Sequence, residues 1–277
     1  MARIAKGTVF IIILIAGVAT AEMNGTKRNN QGRILGGTTT TIDQYPFLVY
    51  VESLVEGTDL KRPCGGAILN DNHVLTAAQC VILTPSIKVI AGVSDPTDPA
   101  AQISYGHALI HPSYRRNFQI NDIAIVRLVR PLRLFTGTVS PVRITKISSV
   151  HLDRFTMRTI GWGSTDSSAT IQTTINEVDM VQIPRRVCKD KTIAIHVTYP
   201  AMTSCLGTDL GNNIGTKGFC YGDAGGPVLY KFQGDSLFTL VGILSEYQLC
   251  PYAYPTSYTR VGPYFAWIRK VAKRFDS

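Results

Sequence analysis

The chain has 277 residues, 45% of them apolar and 17% charged. That composition and length fit one or two globular domains and exclude a wholly disordered or fibrous protein. The formal charge of +9 is scattered: Arg115-Arg116 and the C-terminal Lys and Arg residues form no stripe interleaved with aromatics, so no nucleic-acid partner is expected.

The N-terminus reads as a targeting segment. Arg3 and Lys6 form a basic start, Val9 to Ile15 an apolar stretch, and Ala19-Thr20-Ala21 a small-residue cleavage site. Residues 1–21 are therefore expected to be a signal peptide and the chain to be secreted and extracellular. The apolar stretch is too short for a good membrane span and no later one approaches it, so no membrane partner is expected. Without Arg3 and Lys6 the charge falls to +7; losing residues 22–33 as well leaves +5, enough only for weak attraction to acidic surfaces.

All six cysteines follow this segment. An even count in a secreted chain points to disulfides, with fifteen possible pairings. Local spacing favours Cys64–Cys80, Cys188–Cys205 and Cys220–Cys250. Zinc is the rival reading, but no Cys-x-x-Cys pattern supports it. His107 and His111 are four apart, yet Pro112 and the surrounding alternation argue against a helix. No metal site and no cofactor are expected.

Glu22 to Arg33 is polar, too poor in apolar residues to form a core, and holds the sequon Asn24-Gly25-Thr26, a candidate glycosylation site at Asn24. Its end, Arg33 before Ile34-Leu35-Gly36-Gly37, suits proteolytic processing. Residues 22–33 are thus expected to be a propeptide and 34–277 the functional domain. Short apolar or alternating runs then follow: Phe47 to Val51, Ala67-Ile68-Leu69, His73-Val74-Leu75, Ile87 to Ala91, Ile123 to Leu128 and Met157 to Ile160. Further runs are Asn176 to Ile183, Val228 to Phe232, Phe238 to Leu244 and Ser257 to Val261. Gly, Pro, Asn and Asp clusters separate them, the pattern of a β-sandwich or barrel. A linker at 132–140 is expected between two β-halves. After Gly262-Pro263, residues Tyr264, Ile268, Val271 and Phe275 recur at helical spacing, with Arg269, Lys270, Lys273 and Arg274 opposite, which predicts an amphipathic C-terminal helix.

One stretch organises the rest: Gly218-Phe219-Cys220-Tyr221-Gly222-Asp223-Ala224-Gly225-Gly226-Pro227. It has the form of a nucleophile loop, in which small residues let backbone N–H groups approach a ligand closely. Ala224 stands where the nucleophile is expected, and a methyl group has neither lone pair nor labile proton.

At Ile34-Leu35-Gly36-Gly37, Leu75-Thr76-Ala77-Ala78-Gln79-Cys80, Asn121-Asp122-Ile123-Ala124, Gly161-Trp162-Gly163 and Gly222-Asp223-Ala224-Gly225-Gly226-Pro227, the chain resembles the trypsin-like (chymotrypsin-fold) serine proteases. The resemblance runs from about Ile34 to the C-terminal helix. It implies an all-β fold of two six-stranded antiparallel barrels with a cleft between them and a C-terminal α-helix. It also implies activation by cleavage after Arg33, with the new Ile34 ammonium pairing with Asp223, and it supports the three disulfides.

Residue by residue, the resemblance places the family's histidine on Gln79 and its serine on Ala224, while Asp122 keeps its identity. The triad needs a hydroxyl nucleophile, an imidazole base and a carboxylate that orients it. Gln79 cannot cycle a proton near neutral pH, and Asp122 is expected to accept hydrogen bonds from Gln79 and Ser245. The backbone amides of Gly222 and Ala224 are expected to keep the oxyanion turn. Gly218 falls on the base of the specificity pocket, which Ser245, Tyr247 and Thr256 complete. Glu246 and Tyr247 replace an aromatic wall and a glycine, so the Tyr247 ring is expected to cap the pocket. The expected protein is no enzyme: a pseudoprotease resembling inactivated arthropod paralogues such as those of parasitic mites, acting by binding. Its implied partner is an extracellular protein, a component of a defence cascade such as complement or a protease inhibitor. A decoy that sequesters inhibitors or substrates, and a residual endopeptidase with rearranged catalysis, stay open as alternatives.

Overall fold

The computed structural model describes residues 37–147, 149–164, 172–193, 201–208, 218, 220–245 and 255–273. Chain tracing starts with β1 (Thr38–Thr40), then β2 (Leu48–Leu54), β3 (Lys61–Asn70), β4 (His73–Thr76), the single-turn helix α1 (Ala78–Val81), β5 (Ile87–Ala91), β6 (Gln102–Ile110) and β7 (Ala124–Leu128). Strands β2 to β7 close into one antiparallel barrel in the order β2-β3-β4-β7-β6-β5. The second half holds β8 (Arg143–Ile144), β9 (Thr156–Gly161), β10 (Ile175–Ile183), the helix α2 (Arg185–Ile193), β11 (Thr203–Gly207), β12 (Pro227–Tyr230), β13 (Thr239–Leu244) and β14 (Thr256–Arg260). Pairing of β9 with β10 closes β10-β11-β14-β13-β12-β9 into a second barrel, with β1 and β8 attached outside the ring. The helix α3 (Phe265–Val271) ends the described chain. Two six-stranded barrels and a C-terminal helix are the architecture that the resemblance implies.

Each barrel is filled by branched side chains from alternate positions, as a closed β-structure requires. Val49, Val74, Val89 and Val126 fill the first; Met157, Val178, Val228, Val241 and Tyr258 fill the second. Strand β6 reverses the usual pattern. Its inward positions are the small Ser104, Gly106 and Ala108, while Ile103, Tyr105 and Leu109 face out and are exposed. A methyl on Gly106 would lie 2.6 Å from a Val126 carbon and 2.7 Å from the Arg127 carbonyl oxygen, so the strand sits this close to β7 only with glycine there.

The C-terminal helix is shorter than the apolar spacing predicts. A 3-10 turn, Gly262–Tyr264 with Pro263 in its first positions, leads into Phe265–Val271, and buried Ile268 docks the helix on the first barrel's core. Phe275 lies outside the described residues. The Cys64–Cys80 and Cys188–Cys205 disulfides are formed. Cys220 is also disulfide-bonded, and its expected partner Cys250 lies outside the described residues.

The second barrel has little room at Gly242 of β13, where any Cβ would overlap the ring of buried Tyr258. Gly242→Ala is expected to lower stability by about 3 kcal/mol, the upper range for overpacking a core. Urea unfolding measures this, and an unchanged midpoint would contradict the packing described.

Candidate cleft site

Gln79 reaches the cleft because of what surrounds it. Strand β4 ends at Thr76, and Ala77 and Ala78 are small enough to bury completely as the chain turns into α1. The Cys64–Cys80 bridge ties this turn to β3. Arg62 donates to the Gln79 carbonyl oxygen at 3.0 Å and fixes the backbone.

Asp122 is fully buried just ahead of β7. Its predecessor Asn121 takes a left-handed turn (φ 55°) and accepts a 2.6 Å hydrogen bond from the Tyr264 hydroxyl. The Asp122 carboxylate accepts from Gln79 and Ser245, and the Ala78 backbone N–H also favours its charge. The Gln79 backbone N–H lies 2.8 Å from Oδ1; the Gln79 side-chain amide lies 2.8 Å and the Ser245 hydroxyl 2.6 Å from Oδ2. These bonds favour the charged form, but burial outweighs them and pushes the carboxyl up to about 6. Gln79, Asp122 and Ser245 are thus brought together.

The nucleophile loop is folded as a backbone cradle. Gly222 and Gly225 adopt φ of 97° and 80°, a region costly for any residue with a Cβ. Asp223 N–H donates to the Cys220 carbonyl at 3.1 Å, and Gly226 N–H to the Asp223 carbonyl at 2.9 Å. The N–H groups of Gly222 and Ala224 have no acceptor among the described residues and remain available as a donor pair. The loop rests on the first barrel, where Gly65 N–H donates to the Ala224 carbonyl at 2.8 Å.

Asp223 is also fully buried. Burial pushes its carboxyl up to about 7, against hydrogen bonds from Cys220 N–H at 3.1 Å and Gly163 N–H at 2.9 Å. Gly161 and Gly163 are required here, since a Cβ on either would overlap this carboxylate. Gly218 is buried, as are Ser245 and Thr256 at the ends of β13 and β14. Asn24, Arg33, Ile34, Glu246, Tyr247 and Cys250 lie outside the described residues.

Two contributors carry no sequence signal. Arg62 holds the backbone of Gln79. Gln119, in a left-handed turn, places its side-chain oxygen 3.3 Å from the Ser245 hydroxyl. Both contacts depend on three-dimensional proximity alone.

Two closed barrels meeting at Gln79, Asp122 and a glycine-built nucleophile loop define the chymotrypsin-fold class of serine proteases. The chain belongs to the trypsin family, whose model matches residues 34–268. It is 30% identical to alkaline trypsin C of Manduca sexta over 86% of this chain and 91% of that one. It is also 30% identical to U21-ctenitoxin-Pn1a of Phoneutria nigriventer, over 86% and 99%. Among solved structures it resembles the scabies mite inactivated protease paralogue S-D1, with a TM-score of 0.73 and 28% identity over 87% and 97%.

These comparisons correct one expectation. The chain was expected to be no enzyme because of Gln79 and Ala224. Its family is that of trypsin, and the Manduca sexta and Lucilia cuprina relatives are themselves named trypsins, so the chain is classed with the serine endopeptidases. Two residues in one chain do not set the class of the family around it.

The buried Asp122 makes stability depend on pH. Its folded value of about 6 stands above the ordinary 3.8, so the folded state binds the proton more tightly than the unfolded one. The stabilisation is full below about pH 4 and is lost as pH rises through 6. Asp122→Asn is expected to flatten the fall in urea midpoint between pH 4 and 6; an unchanged slope would mean that Asp122 is not the titrating group.

Proposed function

We propose that this chain is a secreted member of the trypsin family that holds an extracellular protein in the cleft between its barrels and so modulates a host-defence proteolytic cascade such as complement. The observation that carries the reading is the occupation of Asp122. In a working triad this carboxylate orients an imidazole that takes a proton from a serine. Here it orients the amide of Gln79, and residue 224 is an alanine, while the Gly222 and Ala224 N–H groups keep their donors for a bound carbonyl. Such a site offers hydrogen bonds to a polypeptide at the position where relatives perform proton transfer. The likeness to a mite paralogue whose name describes it as inactivated supports the same reading.

In this proposal residues 1–21 are removed on secretion and 22–33 on cleavage after Arg33. The Ile34 ammonium then neutralises Asp223, whose burial without a cation is unfavourable. The five cysteines among the described residues are all disulfide-bonded, which suits an oxidising extracellular setting. No helix among the described residues is long and apolar enough to cross a membrane.

The relatives' names favour a second reading, peptide-bond hydrolysis by rearranged catalysis. It requires a nucleophile other than residue 224. Ser245 donates to Asp122 but is only 2% exposed.

Two measurements separate these readings. The chain cleaved after Arg33 is expected to bind a purified complement component in surface plasmon resonance and to lower complement-mediated haemolysis in proportion to dose. Binding to protease inhibitors alone would indicate a decoy instead, and neither effect would refute the cascade assignment. Ala224→Ser alone is expected to leave peptide hydrolysis at the level of the natural chain, because Gln79 supplies no base. In an enzyme that uses such a triad, removal of either the serine or the histidine costs about a millionfold in turnover. Labelling of the natural chain by a fluorophosphonate probe would instead support the rearranged endopeptidase.

A further inference from the structure

The outer face of the first barrel carries a half-open pocket of about 450 Å³, and Gln79, Asp122 and the nucleophile loop do not line it. This volume falls within the range of ligand sites. Strand register sets its floor. Tyr50 of β2 lies opposite Ile90 of β5, and Ile90 lies opposite Ile103 of β6, making an apolar row across three strands. Two positions along, Glu52 lies opposite Lys88 and Lys88 opposite Tyr105. The two-residue period places both rows on the same outward face. The segment 96–99 forms one wall, with Gln172 and Thr173 on the other side.

The pocket is preformed. The Tyr50 ring meets Trp162 edge-on at 5.7 Å, and the Trp162 indole N–H donates to the Ser94 carbonyl at 2.7 Å. Gln172 N–H donates to the Trp162 carbonyl at 2.9 Å. In the proline-flanked wall, Asp95 and Asp98 close their own turns by accepting the Thr97 and Ala100 N–H groups, each at 2.8 Å. A rigid site of this kind loses little entropy on binding.

Its charges are unequally engaged. Glu52 is paired with Lys61 at 3.2 Å, and Asp98 serves its turn at the rim. Among the described residues the Lys88 ammonium makes no ion pair or hydrogen bond, and the Tyr50 hydroxyl donates to no protein group. A cationic and a neutral donor therefore stand unclaimed beside Ile90 and the half-exposed Ile103.

We propose that this pocket is a second binding site, taking an extended segment of an extracellular polypeptide in which an apolar side chain is followed by a single carboxylate. The apolar side chain covers Ile90 and Ile103, and the carboxylate accepts from the Lys88 ammonium and the Tyr50 hydroxyl. The half-open shape admits side chains of a longer molecule running along the two rows. Glu52 and Asp98 repel a second acidic residue, which gives the site selectivity by exclusion. The site is independent of the cleft: it stands or falls whether or not the cleft binds a complement component.

Fluorescence polarisation of the whole secreted chain tests the assignment with three fluorescein-labelled peptides in a glycine-serine background. They carry Phe-Ile-Glu, Phe-Ile-Gln or Ser-Ser-Glu at the centre. Saturable binding of the Phe-Ile-Glu peptide is expected, with each of the other two at least about tenfold weaker, the scale of losing one charge-assisted bond or an apolar anchor. Lys88→Glu and the surface change Ile103→Ser should each weaken it by about tenfold or more. Arg116→Glu, the same charge change at an exposed position elsewhere, should leave it unchanged. Equal binding of all three peptides, no saturable binding of the first, or indifference to Lys88→Glu would overturn the proposal. Displacement of the peptide by free 3-phenylpropionate at equal concentration would assign the pocket to small carboxylates and overturn its assignment to a polypeptide.

Discussion

The buried carboxylate of Asp122 is a point at which the two barrels are joined chemically. It sits ahead of β7 in the first barrel, takes two hydrogen bonds from Gln79 after β4, and a third from Ser245 at the end of β13 in the second. Burying a carboxylate costs several kcal/mol unless its lone pairs are satisfied. Here donors from both barrels satisfy them. The barrels must therefore dock in one register, because a shift that removed Ser245 would leave a charge buried with one donor fewer. The geometry of the cleft follows from that requirement, whatever residue 79 does with the position it is given.

The nucleophile loop follows the same logic. The left-handed turns at Gly222 and Gly225, the contact of Gly65 with the Ala224 carbonyl and the space that Gly161 and Gly163 leave for Asp223 are all backbone features. None of them depends on a hydroxyl at 224. A loop can therefore keep its shape and its outward N–H pair when the reactive side chain is changed, because shape and reactivity are carried by different atoms.

Much of this was legible in the sequence. Ile87 to Ala91 forms a strand at the expected residues, and the β-runs at 67–69, 73–75, 157–160 and 176–183 lie within longer strands, since branched residues on a half-buried surface declare themselves by composition. The motif residues Gln79 and Asp122 meet, as does Ser245, in the arrangement that the resemblance implies. Strand β6 was not legible. Its apolar residues Ile103, Tyr105 and Leu109 face solvent while Ser104, Gly106 and Ala108 face in, so the pattern is inverted with respect to burial. Strand β11, Thr203–Gly207, is short and mixed, with Ser204 and Cys205 among its buried residues, and it shows no alternation. The pocket over Ile90 and Ile103 was hidden for a related reason: its rows join residues from three strands, a neighbourhood that only the register creates.

The position of β1 has a consequence for how the chain is made. Thr38, Thr39 and Thr40 pair with Glu177, Asn176 and Ile175, so the first described strand belongs to the second barrel although the first barrel follows it directly. Its partner is synthesised roughly 135 residues later, which at the usual elongation rates of about 5–20 residues per second is a delay on the order of 7–27 s. During that interval the first barrel can close, but β1 has no template. Pairing of the first described strand therefore waits for a sheet built long after it.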